Sequence, residues 1–295
     1  MINLEKVKSK KSMQELLEFG IINIDKPSGP TSFNVSDFVR NKLKVRKTSH
    51  FGTLDPKVTG VLPVAINRGC KFTGYFLGED KEYVGVMRIH EDTPIEDIKK
   101  AIKQKFTGKI IQLPPVKSRV KREEREREVK KFELLEKEGK DILFRVECAG
   151  GTYIRKLISD LGDYMKIGAH MLELRRTRAG IFNEDDIKYP SVNLYDFEKA
   201  VDEYEKGNEE LLRRIVIPAE IIINLHPVVE VKNESIKQLL TGKPVYRRDL
   251  KKEVELEKGS LACIFSEEQF IEIAKVVDEK DVFAKPEFVL QPIKI

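Results

Sequence analysis

The chain has 295 residues, 40% of them hydrophobic, enough for one large core or for a catalytic domain with a smaller companion. Lysine and arginine number 54 against 49 acidic residues, and the resulting net charge of +5 is too small to mark a nucleic-acid binder by itself. Met1 to Lys11 lack the apolar run of a signal peptide and no stretch approaches a membrane span, while Cys70, Cys148, Cys263 and the four histidines are scattered. A cytoplasmic protein without membrane contact, disulfide framework, bound metal or cofactor is therefore expected.

In chain order, Lys6, Lys8, Lys10 and Lys11 form a basic arm over residues 1–19, ending in a short amphipathic piece from Met13 to Phe19. A strand is expected at Gly20 to Ile24. Asp25-Lys26-Pro27-Ser28-Gly29-Pro30 breaks it, and Thr31 or Ser32 can cap a helix carrying Val35, Phe38, Val39 and Leu43. Lys42, Lys44, Arg46 and Lys47 then lead to His50-Phe51-Gly52-Thr53-Leu54-Asp55-Pro56-Lys57-Val58-Thr59-Gly60. Pro56 pushes Asp55 away from the α region, Gly52 and Gly60 bracket it, and Leu54 offers an apolar anchor. The result is one carboxylate held at the mouth of a packed element, with His50 and Lys57 near in sequence. The bland alternative is a simple turn.

Val61 to Ile66 reads as a buried element, and Lys81 to Ile89 as an interior strand with Tyr83, Gly85 and Met87 on one face. The spacing predicts a helix from Thr93 to Phe106, with Thr93 capping and Glu96 completing a capping box. Lys117 to Lys131 reads as a charged hairpin arm or a long solvated strand pair. Leu143 to Cys148 is a strand, and the glycine pair Gly150-Gly151 leads through Tyr153 and Arg155 into a helix carrying Ile154, Leu157, Ile158 and Leu161. Met171, Leu172 and Leu174 precede Arg175, Arg176 and Arg178, a third basic cluster that can hold phosphate oxygens or serve strand solubility. Two helices follow Asn193, and near His226-Pro227 the pattern changes to short β segments suggesting a small mixed barrel.

Four of these stretches carry a resemblance. His-x-Gly-x-Leu-Asp-Pro at residues 50–56, preceded by Asp25 to Ser32, Lys81-Glu82-Tyr83, and Gly151-Thr152-Tyr153-Ile154-Arg155, is similar to the signature segments of the pseudouridine synthases that act on the TΨC arm of tRNA. Within that superfamily the chain most resembles the archaeal form of the dyskerin family, the H/ACA guide-RNA enzymes. The resemblance covers nearly the whole chain and is weakest in the basic arm, the charged hairpin and the last residues. It implies an α+β fold: a pseudouridine synthase catalytic fold with a mixed, mainly antiparallel sheet and flanking helices over 20–225, and a small mixed β-barrel PUA domain over 226–295. The arm at 1–19 is expected to pack on that second domain.

The implied reaction breaks the N1–C1′ bond of a uridine, rotates the retained uracil and forms a C5–C1′ bond. It needs neither redox chemistry nor a group donor. The target nucleotide must flip out or be presented unpaired. The resemblance makes Asp55 the catalytic carboxylate, attacking the ribose or abstracting a proton, and leaves both routes open. It makes Arg155 the partner of that carboxylate and Tyr83 the base-stacking aromatic, with Tyr153 and Leu174 lining the pocket and the Asp25 to Ser32 signature as a buttress. His50 is assigned to flipping or phosphate contact and Lys57 to the substrate, while Lys243, Arg247 and Arg248 are assigned to RNA backbone.

The implied partners are an H/ACA guide RNA, target ribosomal RNA, and three proteins: a small zinc-ribbon protein, a glycine-arginine-type β-barrel protein and a ribosomal-type kink-turn binder. Action on tRNA is a secondary activity. A stand-alone tRNA enzyme and a noncatalytic RNA scaffold are the alternatives.

Overall fold

A computed structural model describes residues 2–114, 121–277 and 279–292. The chain divides into two units, one of residues 22–64 and 73–215 and the other of residues 1–21, 65–72 and 216–295.

The large sheet runs in the order Val192–Asn193, Phe19–Lys26, Thr59–Asn67, Ala169–Ala179, Lys81–Ile89, Asp141–Cys148, Arg125–Glu138, Gly108–Gln112. Phe19–Lys26 pairs in parallel with Val192–Asn193, and Thr59–Asn67 in parallel with Ala169–Ala179. Lys81–Ile89 lies between two antiparallel neighbours, as its apolar content on both faces predicts. Its register sets Tyr83 opposite Arg176 and Gly85 opposite Leu174. Gly85 is needed there, since a Cβ would stand 2.9 Å from both the Leu174 side chain and the Phe144 ring.

The helix Ser32–Lys42 is capped by the Thr31 hydroxyl, with Asn34 returning to the Thr31 N–H. The helix Ile154–Met165 buries Ile154, Leu157, Ile158 and Leu161, the apolar face read from the sequence. The helix expected from Thr93 is shorter, Ile95–Lys105, with Pro94 at its cap. Thr93 turns its hydroxyl to the Glu91 carbonyl instead, so the capping box with Glu96 does not form. The charged arm is a long strand, Arg125–Glu138, paired on both sides. Residues 115–120, which include the start of the expected charged arm, lie outside the described residues.

In the second unit, a mixed five-stranded sheet runs Val228–Glu230, Leu261–Ser266, Gln269–Val276, Val282–Val289, Val245–Tyr246. It covers a core of Val229, Val231, Leu239, Ile264, Ile271 and Phe283 and is compatible with the small mixed barrel expected. The basic arm belongs to this unit as two helices, Leu4–Lys10 and Met13–Glu18. Its lysines have partners within the unit: the exposed Lys6 and Lys10 pair with Glu268, Lys11 pairs with Glu220, and Lys8 is buried. Among the described residues, no helix is long and apolar enough to cross a membrane.

Candidate active site

The Asp55 loop is a turn as well as a carboxylate holder. The Val58 N–H donates to the Asp55 carbonyl at 3.0 Å, closing a turn with Pro56 at its second position. Three buried side chains, Phe51, Leu54 and Val58, anchor the loop, and Phe51 stacks on Phe76 with ring centroids 4.6 Å apart. Burying each such side chain is worth roughly 2 kcal/mol.

The first signature holds the loop from the other side. Ser32 donates its hydroxyl proton to the Leu54 carbonyl at 3.0 Å and accepts from the Leu54 N–H at 2.8 Å. The buried Lys26 ammonium donates to the Pro27 and Pro56 carbonyls at 2.8 and 3.0 Å, and the Gly29 N–H also reaches the Pro56 carbonyl at 2.9 Å. Burial lowers the Lys26 pKa while the Asp55 carboxylate opposes that shift. A chain segment thirty residues upstream thus fixes the backbone on both sides of Asp55.

The Asp55 carboxylate faces the Arg155 guanidinium, with Nη2 3.1 Å from Oδ2, and both side chains are more than half exposed at 56% and 58%. Gln112 sets the start of the helix that carries Arg155: its amide oxygen accepts from the Tyr153 N–H at 3.0 Å and its amide nitrogen donates to the Tyr153 carbonyl at 3.2 Å. Arg155 also lines a cleft of about 310 Å³ with Lys57, Val58, Met171, Leu172 and Leu174. An ion pair beside a cleft that combines Lys57 and Arg155 with Val58, Met171, Leu172 and Leu174 suits a ligand with one polar and one flat apolar part. Asp55, Arg155, Lys57 and Leu174, far apart in sequence, are therefore brought together.

Tyr83 and His50 are placed differently. Tyr83 is only 9% exposed, so its ring presents no open platform in the chain without RNA. Burial pushes its hydroxyl above the ordinary phenol value; the charge of Arg176 opposes the shift, and the Asp55 charge reinforces it. His50 contacts the Thr53 hydroxyl at 3.2 Å, and its pKa is lowered by burial first and by Arg176 second. The neutral imidazole is a hydrogen-bonding group rather than a phosphate-attracting cation. Cys148, whose thiol burial pushes up to about 12, is no nucleophile.

The third basic cluster does not present phosphate-binding arginines. Arg176 is 1% exposed, Arg175 grips Asp25 through two bonds of 2.9 and 3.0 Å as well as Glu184, and Arg178 pairs with Glu147. Lys42 and Lys44 are likewise engaged, with Glu198 and Asp202 and with Glu205. Sequence reasoning missed Gln112 and Arg176 as parts of the site. For Arg176 the signal was the strand alternation, which puts it on the face of Leu174. In the second unit, Lys243, Arg247 and Arg248 are exposed around the strand Val245–Tyr246, and Arg248 lies 5.0 Å over the Tyr246 ring.

Comparison with known proteins gives the family. Residues 40–154 match the TruB family pseudouridylate synthase (N terminal domain), and residues 155–224 match the tRNA pseudouridylate synthase B C-terminal domain. Two relatives, each named probable tRNA pseudouridine synthase B, come from Methanocaldococcus jannaschii and Archaeoglobus fulgidus. The first is 45% identical over 84% of this chain and 72% of its own length, the second 40% over 93% and 84%.

Among solved structures, a crystal structure of a Cbf5-Nop10-Gar1 complex contains a chain 37% identical, with a TM-score of 0.86 over 97% of this chain and 89% of that one. A chain in an H/ACA RNP bound to a substrate RNA containing 2'-deoxyuridine is 35% identical, with a TM-score of 0.85 over 97% and 89%. The chain belongs to the TruB family of pseudouridine synthases, on the branch whose structural neighbours are the archaeal dyskerin-type proteins, and is an RNA-modifying isomerase.

Proposed function

We propose that this chain is the catalytic subunit of an H/ACA-type guide-RNA particle, isomerising guide-selected uridines of ribosomal RNA, with Asp55 as the catalytic carboxylate. The Asp55–Arg155 contact at 3.1 Å beside the Leu174 cleft carries the catalytic reading. Arg155 holds the carboxylate aimed at the sugar of an everted uridine, so placement supplies much of the rate. Leu174 and Met171 form the apolar wall for the uracil, Tyr153 closes the pocket near the helix start, and Tyr83 contributes its narrow exposed edge and hydroxyl. Lys57 and His50 contact the flipped nucleotide and its backbone.

The guided reading is supported by likeness over 97% of the chain to proteins solved in H/ACA complexes, including the C-terminal unit. Under it, Lys243, Arg247 and Arg248 of the PUA-like unit at 226–295 hold guide-RNA backbone. The partners are the small zinc-ribbon protein, the glycine-arginine-type β-barrel protein and the kink-turn binder. A second reading, a stand-alone enzyme for the T arm of tRNA, is favoured by the names of the curated relatives.

One experiment separates the two: a product assay by mass spectrometry on a guided target and on a tRNA, each with and without guide RNA and partner proteins. Product in the guided target only when guide and partners are present supports the first reading. Product confined to tRNA, without guide, supports the second. Product in neither RNA rejects both.

A further inference from the structure

The helix that delivers Arg155, Ile154–Met165, begins without a side-chain cap: Tyr153 stands at the cap position on extended backbone, φ −95° and ψ 98°, and makes no capping bond with its side chain. A helix start of this kind leaves its first N–H groups without partners inside the helix. The hold comes instead from 41 residues upstream, where the Gln112 amide exchanges two bonds with a single residue. It accepts the Tyr153 N–H at 3.0 Å and donates to the Tyr153 carbonyl at 3.2 Å, as a neighbouring strand would. The same carbonyl accepts the Leu157 N–H at 2.9 Å, an early bond of the helix. From the adjoining strand, Arg127 donates its Nε–H to the Gly151 carbonyl at 3.0 Å. Arg127 pairs with Ile110, two residues before Gln112, so both side chains reach the helix entry from one face of the sheet.

The strand Gly108–Gln112 ends with its polarity inverted, since Gln112 is 2% exposed while Ile111 is 60% exposed. An amide is costly to bury unless donor and acceptor are both matched, and an apolar residue would fill the position without that cost. The Asp55–Arg155 pair, by contrast, is more than half exposed, and an ion pair in water is too weak to hold its own geometry. We propose that Gln112 is a positioning residue of the isomerisation: by pinning the Tyr153 backbone it fixes where the helix starts, and so where the guanidinium of Arg155, the second residue of that helix, meets Asp55. The inference rests on the reading of Asp55 and Arg155 as the catalytic pair. Glutamine suits the task because one planar group carries both an acceptor and donors, matching the N–H and the C=O of one extended residue. A carboxylate of the same length accepts but does not donate, and a methionine thioether offers no donor and only a weak acceptor.

The test is a double-mutant cycle on the full chain, using whichever of the guided target and the tRNA the native protein modifies, with guide and partners present if the native protein needs them. Gln112→Met is made in the native and in the Arg155→Ala backgrounds, and kcat and KM are read separately. The expected outcome is a fall of kcat by roughly tenfold in the native background with KM nearly unchanged, and by no more than about twofold once the guanidinium is gone. Equal losses in the two backgrounds, a loss confined to KM, or native kcat in Gln112→Met overturn the proposal.

Native kcat in Arg155→Ala alone rejects the ion-pair reading on which the proposal stands, and so is distinguishable from a failure of the glutamine link. If Gln112→Met does not fold, Gln112→Glu is carried through the same cycle. It keeps the length and the acceptor for the Tyr153 N–H and loses the donor to the Tyr153 carbonyl. Its kcat is expected to fall by about threefold or more in the native background and to stay level in Arg155→Ala, and the same loss in both backgrounds overturns the proposal.

Discussion

At the scale of residues, the site separates charge that acts from charge that supports. The Asp55–Arg155 pair is more than half exposed, so it adds little to folding. Its use is orientation. Asp55→Asn removes the charge without changing shape and should abolish pseudouridine formation while RNA retention and the thermal midpoint stay near native; normal product from the purified variant rejects the catalytic assignment. Arg155→Ala should lower turnover at saturating RNA by about 100-fold, the scale of a misplaced reacting group, with a smaller change in affinity. Turnover equal to native at saturation would show that the carboxylate needs no such partner. Lys6, Lys10 and Lys11 make the opposite point: a run that reads as a basic arm is engaged with Glu268 and Glu220, more than 200 residues further along.

At the scale of elements, the loop is positioned by what borders it. The parallel pairing of Thr59–Asn67 with Ala169–Ala179 starts at Thr59 with Arg175 and Gly60 with Arg176, just beyond the Asp55 turn. Gly60→Ala would strain a φ of +101° and force a Cβ against the Arg176 carbonyl. The expected cost is about 2 kcal/mol or more, read from the urea midpoint, with turnover reduced as well. A stability within 0.5 kcal/mol of native, the range of neutral surface changes, would show that the strand pairing can shift to admit the side chain. Interior strands and amphipathic helices were legible because their apolar periodicity survives in a single sequence: Lys81–Ile89 and the helix from Ile154 fall where the pattern put them. The Thr93 cap was not, since two adjacent residues could each start that helix and Pro94 does so without a side-chain bond.

At the scale of the whole molecule, the second unit carries a buried charge problem that the sequence does not announce. Glu272 is 0% exposed, neither carboxylate oxygen has a hydrogen-bond partner, and burial pushes its pKa from 4.5 up to about 8. Below about pH 4.5 both folded and unfolded states are protonated. Between there and about 8 only the unfolded chain ionises, so stability falls as pH rises through that window and levels off above it. The ceiling on the effect is about 5 kcal/mol, from 1.36 kcal/mol per pKa unit. Glu272→Gln should raise the thermal midpoint relative to native progressively from pH 4.5 to 8 and leave the gap constant beyond. A gap that does not change with pH means that the group is not buried neutral.

The sequence by itself determined the local elements, the turn around Asp55 and, through its resemblance to a known family, the expectation that Asp55, Tyr83, Tyr153 and Arg155 meet in one site. Local order follows from periodicity and turn chemistry, which neighbouring residues carry within themselves. Only the tertiary structure decided which charges are spent on other charges, that Gln112 grips the Tyr153 backbone, and that one of the three clustered arginines is buried and bonded to the Val61 and Gly52 carbonyls beside the loop. Those outcomes depend on partners from distant segments. Arg175 and Arg176 are the same letter in the sequence and become different groups only when strand pairing turns one toward Asp25 and the other into the core.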